Sequence, residues 1–167
     1  MWFIKHVCYI AKLGWIKLDS IKNYLVAKAA EYGKIKIEHL DIDACIADLE
    51  TKGYLVSGPL LSFLNDVAGI SCYIPSKEEN KRDRELFDFN PTRGSAGIYK
   101  DRILIYEKIA LCPLIPIGEC DNKHIVLMYG DGAIYGGFDD FLCQYGNNLE
   151  SSMDMLITGK DVKVLSY

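Results

Sequence analysis

Hydrophobic residues recur with helical spacing through the first 69 residues of the chain. Three segments, 19–33, 41–53 and 58–69, each open with a residue that favours a helix start and close with a glycine. In the first segment the apolar stripe consists of Ile21, Leu25, Ala29 and Tyr32. The pattern predicts that the N-terminal third is mostly helical.

The segment Met1–Leu18 is apolar, but Lys5, His6 and Lys12 interrupt it. A signal peptide needs an uninterrupted apolar stretch and a small-residue cleavage site, and a membrane span needs about 20 apolar residues. We therefore predict neither. The helical spacing of Phe3, Val7, Ile10 and Leu13 or Gly14 favours an amphipathic helix packed on the domain.

Short β-prone runs replace the helical stripes from residue 70 onward. Strands are predicted at 70–74, 86–89, 113–118, 124–129, 133–135 and 162–165. Helices are predicted at 95–110 and from a cap at Asn147 or Asn148 to Ile157, with Gly159 as the stop. The charged run Ser76–Arg84 predicts a solvated turn or hairpin tip. Asp131-Gly132 is a strong hairpin signal, so the last third is predicted to be a meander.

Length and composition indicate a single globular domain. A chain of 167 residues that is 50% hydrophobic and 25% charged suits one globular domain over residues 1–167 and excludes a disordered chain. The six cysteines lie mostly inside apolar runs. We therefore expect reduced thiols that act as small hydrophobic residues, in a reducing and thus cytoplasmic compartment.

Charge is unevenly distributed along the chain. The net charge is −4, yet residues 1–33 carry +3 and residues 119–161 carry −6. Such an acidic end disfavours direct binding to nucleic acid, because phosphates need Lys and Arg. It favours a basic partner, since complementary charge accelerates encounter.

The sequence has none of the common catalytic motifs: no GxxxxGK[ST] loop, no GxGxxG between a strand and a helix, and no GxSxG elbow. No Cys-x-x-Cys pair occurs, so neither a metal nor another cofactor is predicted. Cys120 and His124 flank a predicted turn and are the one candidate thiol pair, although a histidine at a strand start is commonplace. Asp139-Asp140 is a candidate acid–base or cation site, but a helix or turn start is favoured.

Several short motifs follow one another in a characteristic order. They are Gly53-Tyr54, Phe63-Leu64, Phe87–Pro91, the run Leu111–Glu119, the return strand Asp131–Tyr135 and a closing helix after Tyr145-Gly146-Asn147. In this order they resemble the SUKH superfamily of bacterial immunity proteins, above all its third subfamily, over about residues 40–158. Val67-Ala68-Gly69 departs from the double glycine that is usual in the family.

This resemblance implies an α+β fold with a central, mostly antiparallel sheet flanked by helices. It implies a cytoplasmic immunity protein that binds and neutralises a cognate polymorphic or contact-dependent toxin, and neither an enzyme nor a membrane protein. The toxins of such systems include many nucleases, whose nucleic-acid site is basic. A regulatory scaffold of the same superfamily is the first alternative and a small thiol enzyme that uses Cys120 and His124 the second, and the expected state is a monomer or weak homodimer.

A toxin-binding role directs attention to the acidic turns and tyrosines of the last third. Tyrosine buries a large area at little entropic cost, although it is also a good core residue of strands. The predicted contact region consists of Glu119, Asp121, Tyr129, Asp131, Tyr135, Asp139 and Asp140. Charge reversal at Asp139 and Asp140 is expected to slow association with the toxin.

Overall fold

The computed structural model describes residues 21–78 and 81–166, which form one eight-stranded sheet and six helices. The helices are α1 (Ile21–Ala30), α2 (Ile42–Thr51), α3 (Gly58–Val67), α4 (Pro91–Ala96), α5 (Lys100–Ala110) and α6 (Leu149–Thr158). The strands are β1 (Lys34–Ile37), β2 (Ile70–Ile74), β3 (Arg84–Asp88), β4 (Ile115–Cys120), β5 (Ile125–Gly130), β6 (Ala133–Phe138), β7 (Phe141–Tyr145) and β8 (Lys163–Ser166). The predictions for Met1–Leu18, including Cys8 and His6, lie outside the described residues.

Each strand pairs antiparallel with its neighbour in sequence, so the sheet order is β1 through β8. Helices occupy the longer connections: α2 and α3 between β1 and β2, α4 and α5 between β3 and β4, and α6 between β7 and β8. This architecture confirms the predicted α+β fold with an antiparallel sheet. It also confirms the predicted meander and a final edge strand at β8.

Local capping chemistry explains why three of the helices begin where the sequence indicates. Asp41, Ser57 and Asn148 each accept a hydrogen bond from the backbone N–H three residues later, which satisfies an otherwise orphaned donor. Of the two asparagines considered for α6, Asn148 is the cap. The same helix ends at Gly159, whose φ of 66° is left-handed and favours glycine.

Three features differ from the sequence prediction, whereas the turn at Asp139-Asp140 is one of the two structures predicted there. Strand β1 lies inside the N-terminal third, and β7 follows that turn where no strand was predicted. The predicted helix at 95–110 is two helices, because α4 is capped by Asn90 and ends at Gly97. Both strands carry strand signals that the sequence prediction missed, the Lys-Ile alternation of β1 and the two aromatic residues of β7, and β2, β6 and β8 supply their backbone partners.

Both faces of the sheet are covered by packed side chains. At β6, a Cβ on Gly136 would meet Tyr145 and Cys143, whereas a Cβ on Gly137 would lie 2.4 Å from the Tyr106 ring of α5. Neighbouring strand residues point to opposite faces, so α5 covers the Gly137 side. Helix α1 contacts both α3 and α6, and α6 contacts β6 and β7.

The five described cysteines are buried free thiols: Cys45, Cys72, Cys112, Cys120 and Cys143. Burial raises the pKa of the thiols of Cys72, Cys112, Cys120 and Cys143. They serve as small hydrophobic groups in the core. Within residues 21–78 and 81–166, no helix combines the length and the apolar character needed to cross a bilayer.

Candidate partner-binding site

The antiparallel meander sends the predicted contact residues to opposite ends of the sheet. The β4–β5 and β6–β7 turns share one end, which carries Asp121, Asp139 and Asp140. The β5–β6 turn, with Asp131, lies at the other end. The seven predicted residues therefore do not form one continuous surface.

At the first of these ends most acidic side chains are already paired. The Asp121 carboxylate accepts from Nη2 of Arg84 at 2.7 Å, and the Asp140 carboxylate accepts from Nη1 of Arg102 at 2.8 Å. Asp139 is exposed, and its backbone carbonyl accepts from the Tyr106 hydroxyl at 2.7 Å. This end is consequently less acidic than the linear charge count indicates.

Three of the predicted contact residues are buried: Glu119, Tyr129 and Tyr135. The Tyr129 ring packs against Phe63 of α3 with ring centroids 5.6 Å apart. The Tyr135 hydroxyl accepts a weak hydrogen bond from Sγ of Cys112 at 3.8 Å. Both tyrosines therefore support the core, and only the edge of Tyr129 reaches a surface groove.

A β-bulge gathers buried carboxylates on one face of the sheet. The register between β2 and β3 shifts from Cys72 opposite Phe87 to Tyr73 opposite Glu85, which leaves Leu86 as an extra residue. The bulge turns Glu85 to the same face as Asp88, and Asp88 lies opposite Glu119 of β4. We call Glu85, Asp88 and Glu119 the carboxylate cluster.

Among the described residues, the carboxylate cluster forms its ion pair with Arg93 of α4. Nη1 of Arg93 lies 2.5 Å from Oδ2 of Asp88, and its Nη2 lies 3.5 Å from Glu38. Glu85 is 7% exposed, and its buried Oε1 has no hydrogen-bond partner among the described residues. Burial raises the pKa of both Glu85 and Glu119. The negative charge of Asp88 raises the pKa of both further, and that of Glu85 also raises the pKa of Glu119.

The cluster does not have the arrangement of a metal site. Among residues 21–78 and 81–166, no three His, Cys, Asp or Glu side chains are positioned to hold a metal ion together. Its expected effect is on stability, because a buried carboxylate with an unsatisfied oxygen, Oε1 of Glu85, is costly when charged.

Glu85→Gln is expected to raise the free energy of unfolding by about 1 kcal/mol near pH 8 and to flatten its pH dependence. Because burial raises the folded-state pKa of Glu85, the folded state keeps its proton to higher pH than the unfolded state. The stability from that proton is fully present below the unfolded pKa and is lost as pH rises through the folded pKa.

Urea unfolding between about pH 4 and pH 8, a range that begins near the unfolded glutamate pKa, measures this effect. Glu50→Gln on α2 is the matched control, because Glu50 is exposed and the same atoms change. An identical pH slope in wild type and Glu85→Gln would contradict the predicted role of burial.

A groove of about 680 Å³ opens beside the β5–β6 turn. Three parts of the chain line it: the α2–α3 loop around Leu55, the α5 residues Lys100 and Glu107 with the segment 113–115, and the turn from Tyr129 to Gly132. We call it the hairpin groove. It contains two of the predicted contact residues, Tyr129 and Asp131, and its walls are mainly apolar.

Internal contacts hold the walls of the hairpin groove in place. Nζ of Lys100 lies 3.6 Å from the centre of the Tyr54 ring, a cation–π contact, and 3.5 Å from the Gly53 carbonyl. Burial lowers the pKa of Lys100 and raises that of Tyr54 to about 12. Oε1 of Glu107 accepts from the backbone N–H of Leu114 at 3.0 Å, which ties the end of α5 to the approach to β4.

Two leucines near the groove are almost fully exposed. Leu55 is 88% exposed and lines the groove, and Leu111 is 86% exposed on the stretch between the lining residues Glu107 and Pro113. Leu111 also has a φ of 61°, a left-handed conformation that costs a non-glycine residue about 1 kcal/mol. Nothing in the packing of the described residues uses either side chain.

The candidate pair Cys120 and His124 has separate partners. Sγ of Cys120 lies 3.6 Å from the Tyr145 hydroxyl in the core, and Nδ1 of the exposed His124 lies 2.8 Å from the Asp121 carbonyl. Burial raises the pKa of Cys120 to about 12. A reactive cysteine instead requires a lowered pKa and access to solvent.

A scan against models of protein families, a search of curated proteins and a search of solved structures each find no match to this chain. The fold and the site therefore define a class: an α+β protein with an eight-stranded antiparallel meander and an apolar groove with an acidic rim.

Proposed function

We propose that this protein is a cytoplasmic immunity protein that binds a cognate toxin domain and blocks it by covering its active face. The main support for this proposal is the hairpin groove, where the exposed Leu55 and the acidic Asp131 lie beside walls fixed by internal contacts. Exposed apolar side chains with a polar rim are typical of protein-binding surfaces. The resemblance of the ordered motifs to SUKH immunity proteins supports the same role.

Steric occlusion is the proposed mechanism of neutralisation. A rigid surface of this kind binds without a large ordering cost, since its side chains and backbone already have one arrangement. The net charge of −4 favours a toxin whose active face is basic, and nucleases are such a class. Binding there competes with the nucleic-acid substrate.

Co-expression tests the proposal directly. The product of the gene adjacent to that of this protein, the expected toxin, is expressed in a sensitive host, alone and together with the immunity candidate, and colony survival is counted. We expect wild-type protein to restore growth and to co-purify with the toxin domain. A catalytically inactive toxin domain provides the control for effects of expression itself.

Loss of growth despite abundant folded immunity candidate would show that the proposed function is wrong. Co-purification with a domain that harms no cell would instead favour the alternative, a regulatory scaffold. Both outcomes are read from the same two cultures.

A further inference from the structure

We propose that the hairpin groove receives an apolar side chain of the toxin, flanked by a lysine or arginine that pairs with Asp131. This inference rests on the proposed function and names the surface and the partner chemistry that the function requires. It also selects one end of the sheet, the Asp131 end, over the end that carries Asp121, Asp139 and Asp140.

The apolar half of the proposal rests on how Leu55 is held. Its neighbour Tyr54 is buried under Lys100, and Val56 packs against the core. Ser57 then caps α3. The backbone is therefore fixed on both sides of Leu55, so its 88% exposure results from a defined geometry that points the side chain outward. A fixed apolar group beside an apolar groove suits the centre of an interface.

The expectation of a lysine or arginine on the toxin follows from the charged side chains around the groove, most of which already have partners within the protein. Lys100 is held by the Tyr54 ring and the Gly53 carbonyl, and Glu107 accepts the Leu114 N–H. Asp131 is exposed and forms no ion pair with any described residue. The charge left for a partner is therefore negative, and its complement is a lysine or arginine next to the apolar anchor.

The surface extends beyond the groove, which favours a protein over a small molecule. A ligand that filled only the groove would leave most of Leu111 in water, because Leu111 is not part of the lining. A protein face can cover Leu55 and Leu111 together. A toxin contact would also account for the apolar Leu111 at a left-handed backbone position, because the described residues do not bury its side chain.

The chain supplies two matched pairs of variants for the test. Leu55→Ser is compared with Tyr99→Ser, since Leu55 and Tyr99 are both 88% exposed, but Tyr99 precedes α5 at the opposite end of the sheet. Asp131→Lys is compared with Asp139→Lys, since both aspartates are exposed turn residues with a φ of 47°. Any backbone strain from the substitution is thus the same in both lysine variants.

The probe is the catalytically inactive toxin domain of the co-expression experiment, immobilised for measurement of binding kinetics. We expect Leu55→Ser to raise the Kd about tenfold or more, chiefly through faster dissociation. We expect Asp131→Lys to slow association about fivefold at low salt, with a smaller effect at high salt. Tyr99→Ser and Asp139→Lys are expected to stay within about twofold of wild type.

The outcomes separate the two proposals. If the wild-type protein protects cells but Leu55→Ser and Asp131→Lys bind the toxin like wild type, the hairpin groove is not the binding surface and the immunity function stands. If Asp139→Lys alone associates more slowly with the toxin, the binding surface lies at the opposite end of the sheet and not at the hairpin groove. If wild type neither protects nor binds, the proposed function fails and the groove assignment fails with it. Thermal unfolding of each variant establishes that the surface and not the fold has changed.

Discussion

Gly118→Ala is expected to destabilise the protein by about 3 kcal/mol or more, at the upper end of overpacking effects. A Cβ at this position would lie 2.1 Å from the Asp88 carbonyl oxygen and 3.0 Å from Cα of Phe89. On the other side Gly94 of α4 approaches so closely that its own Cβ would lie 2.7 Å from the Gly118 backbone. Because the obstacles are backbone atoms, no side-chain rotation relieves the clash.

Urea and thermal unfolding measure this effect, with Gly58→Ala as the matched control. Outside its own helix and its chain neighbours, Gly58 has no atom within 4 Å of the position that its Cβ would occupy. Its replacement is expected to lower the free energy of unfolding by no more than about 1 kcal/mol, because Pro59 disfavours a helical residue with a Cβ before it. Equal free energies of unfolding for Gly118→Ala and Gly58→Ala would contradict the close packing of α4 against β4.

Arg93→Ala is expected to destabilise the protein by roughly 2–4 kcal/mol, because it leaves Asp88 charged and buried. The Asp88 side chain is 4% exposed, and it is held by Nη1 of Arg93 at 2.5 Å. Without Arg93, Asp88 loses its ion pair and keeps the carboxylates of Glu85 and Glu119 as close neighbours. Arg93 itself is 43% exposed, so we place the loss below that of a fully enclosed ion pair.

Arg102→Ala is the control for Arg93→Ala, since Arg102 also pairs with an aspartate. Its partner Asp140 has a side chain that is 79% exposed, so the loss is expected to be below about 1 kcal/mol. The double variant Arg93→Ala, Asp88→Asn removes the buried charge and is expected to recover part of the stability. Similar losses for both arginine variants would refute the distinction between buried and exposed pairs.

The parts of the fold that could be predicted from the sequence are those set by contacts between residues close together in the chain. Asp41, Ser57 and Asn148 cap helices through bonds that span three residues, and Asp131-Gly132 closes a hairpin within two. Strand β1 was not predicted, although the alternation of Lys and Ile over Lys34–Ile37 is a local strand signal. What the sequence does not show is its partner, because β1 pairs with residues 70–73, beyond two helices.

The candidate site was predicted less completely, for reasons that involve long-range contacts. The −6 segment indicated one acidic surface, but the meander divides its turns between two ends, and Arg84 and Arg102 pair with two of its aspartates. The bulge that turns Glu85 inward is a register shift with no signature in residue type. Tyr129 and Asp131 were included in the predicted region, whereas Leu55 meets them only through the tertiary fold.

The strict chain order of the sheet has a consequence for synthesis on the ribosome. Every strand after β1 pairs with the strand made just before it, and from β4 to β7 only a short turn separates each strand from the next. The last residue that lines the hairpin groove is Gly132, so the groove is fully encoded before α6 and β8 are translated. A chain built in this order shortens the interval in which unpaired strand edges are open to aggregation.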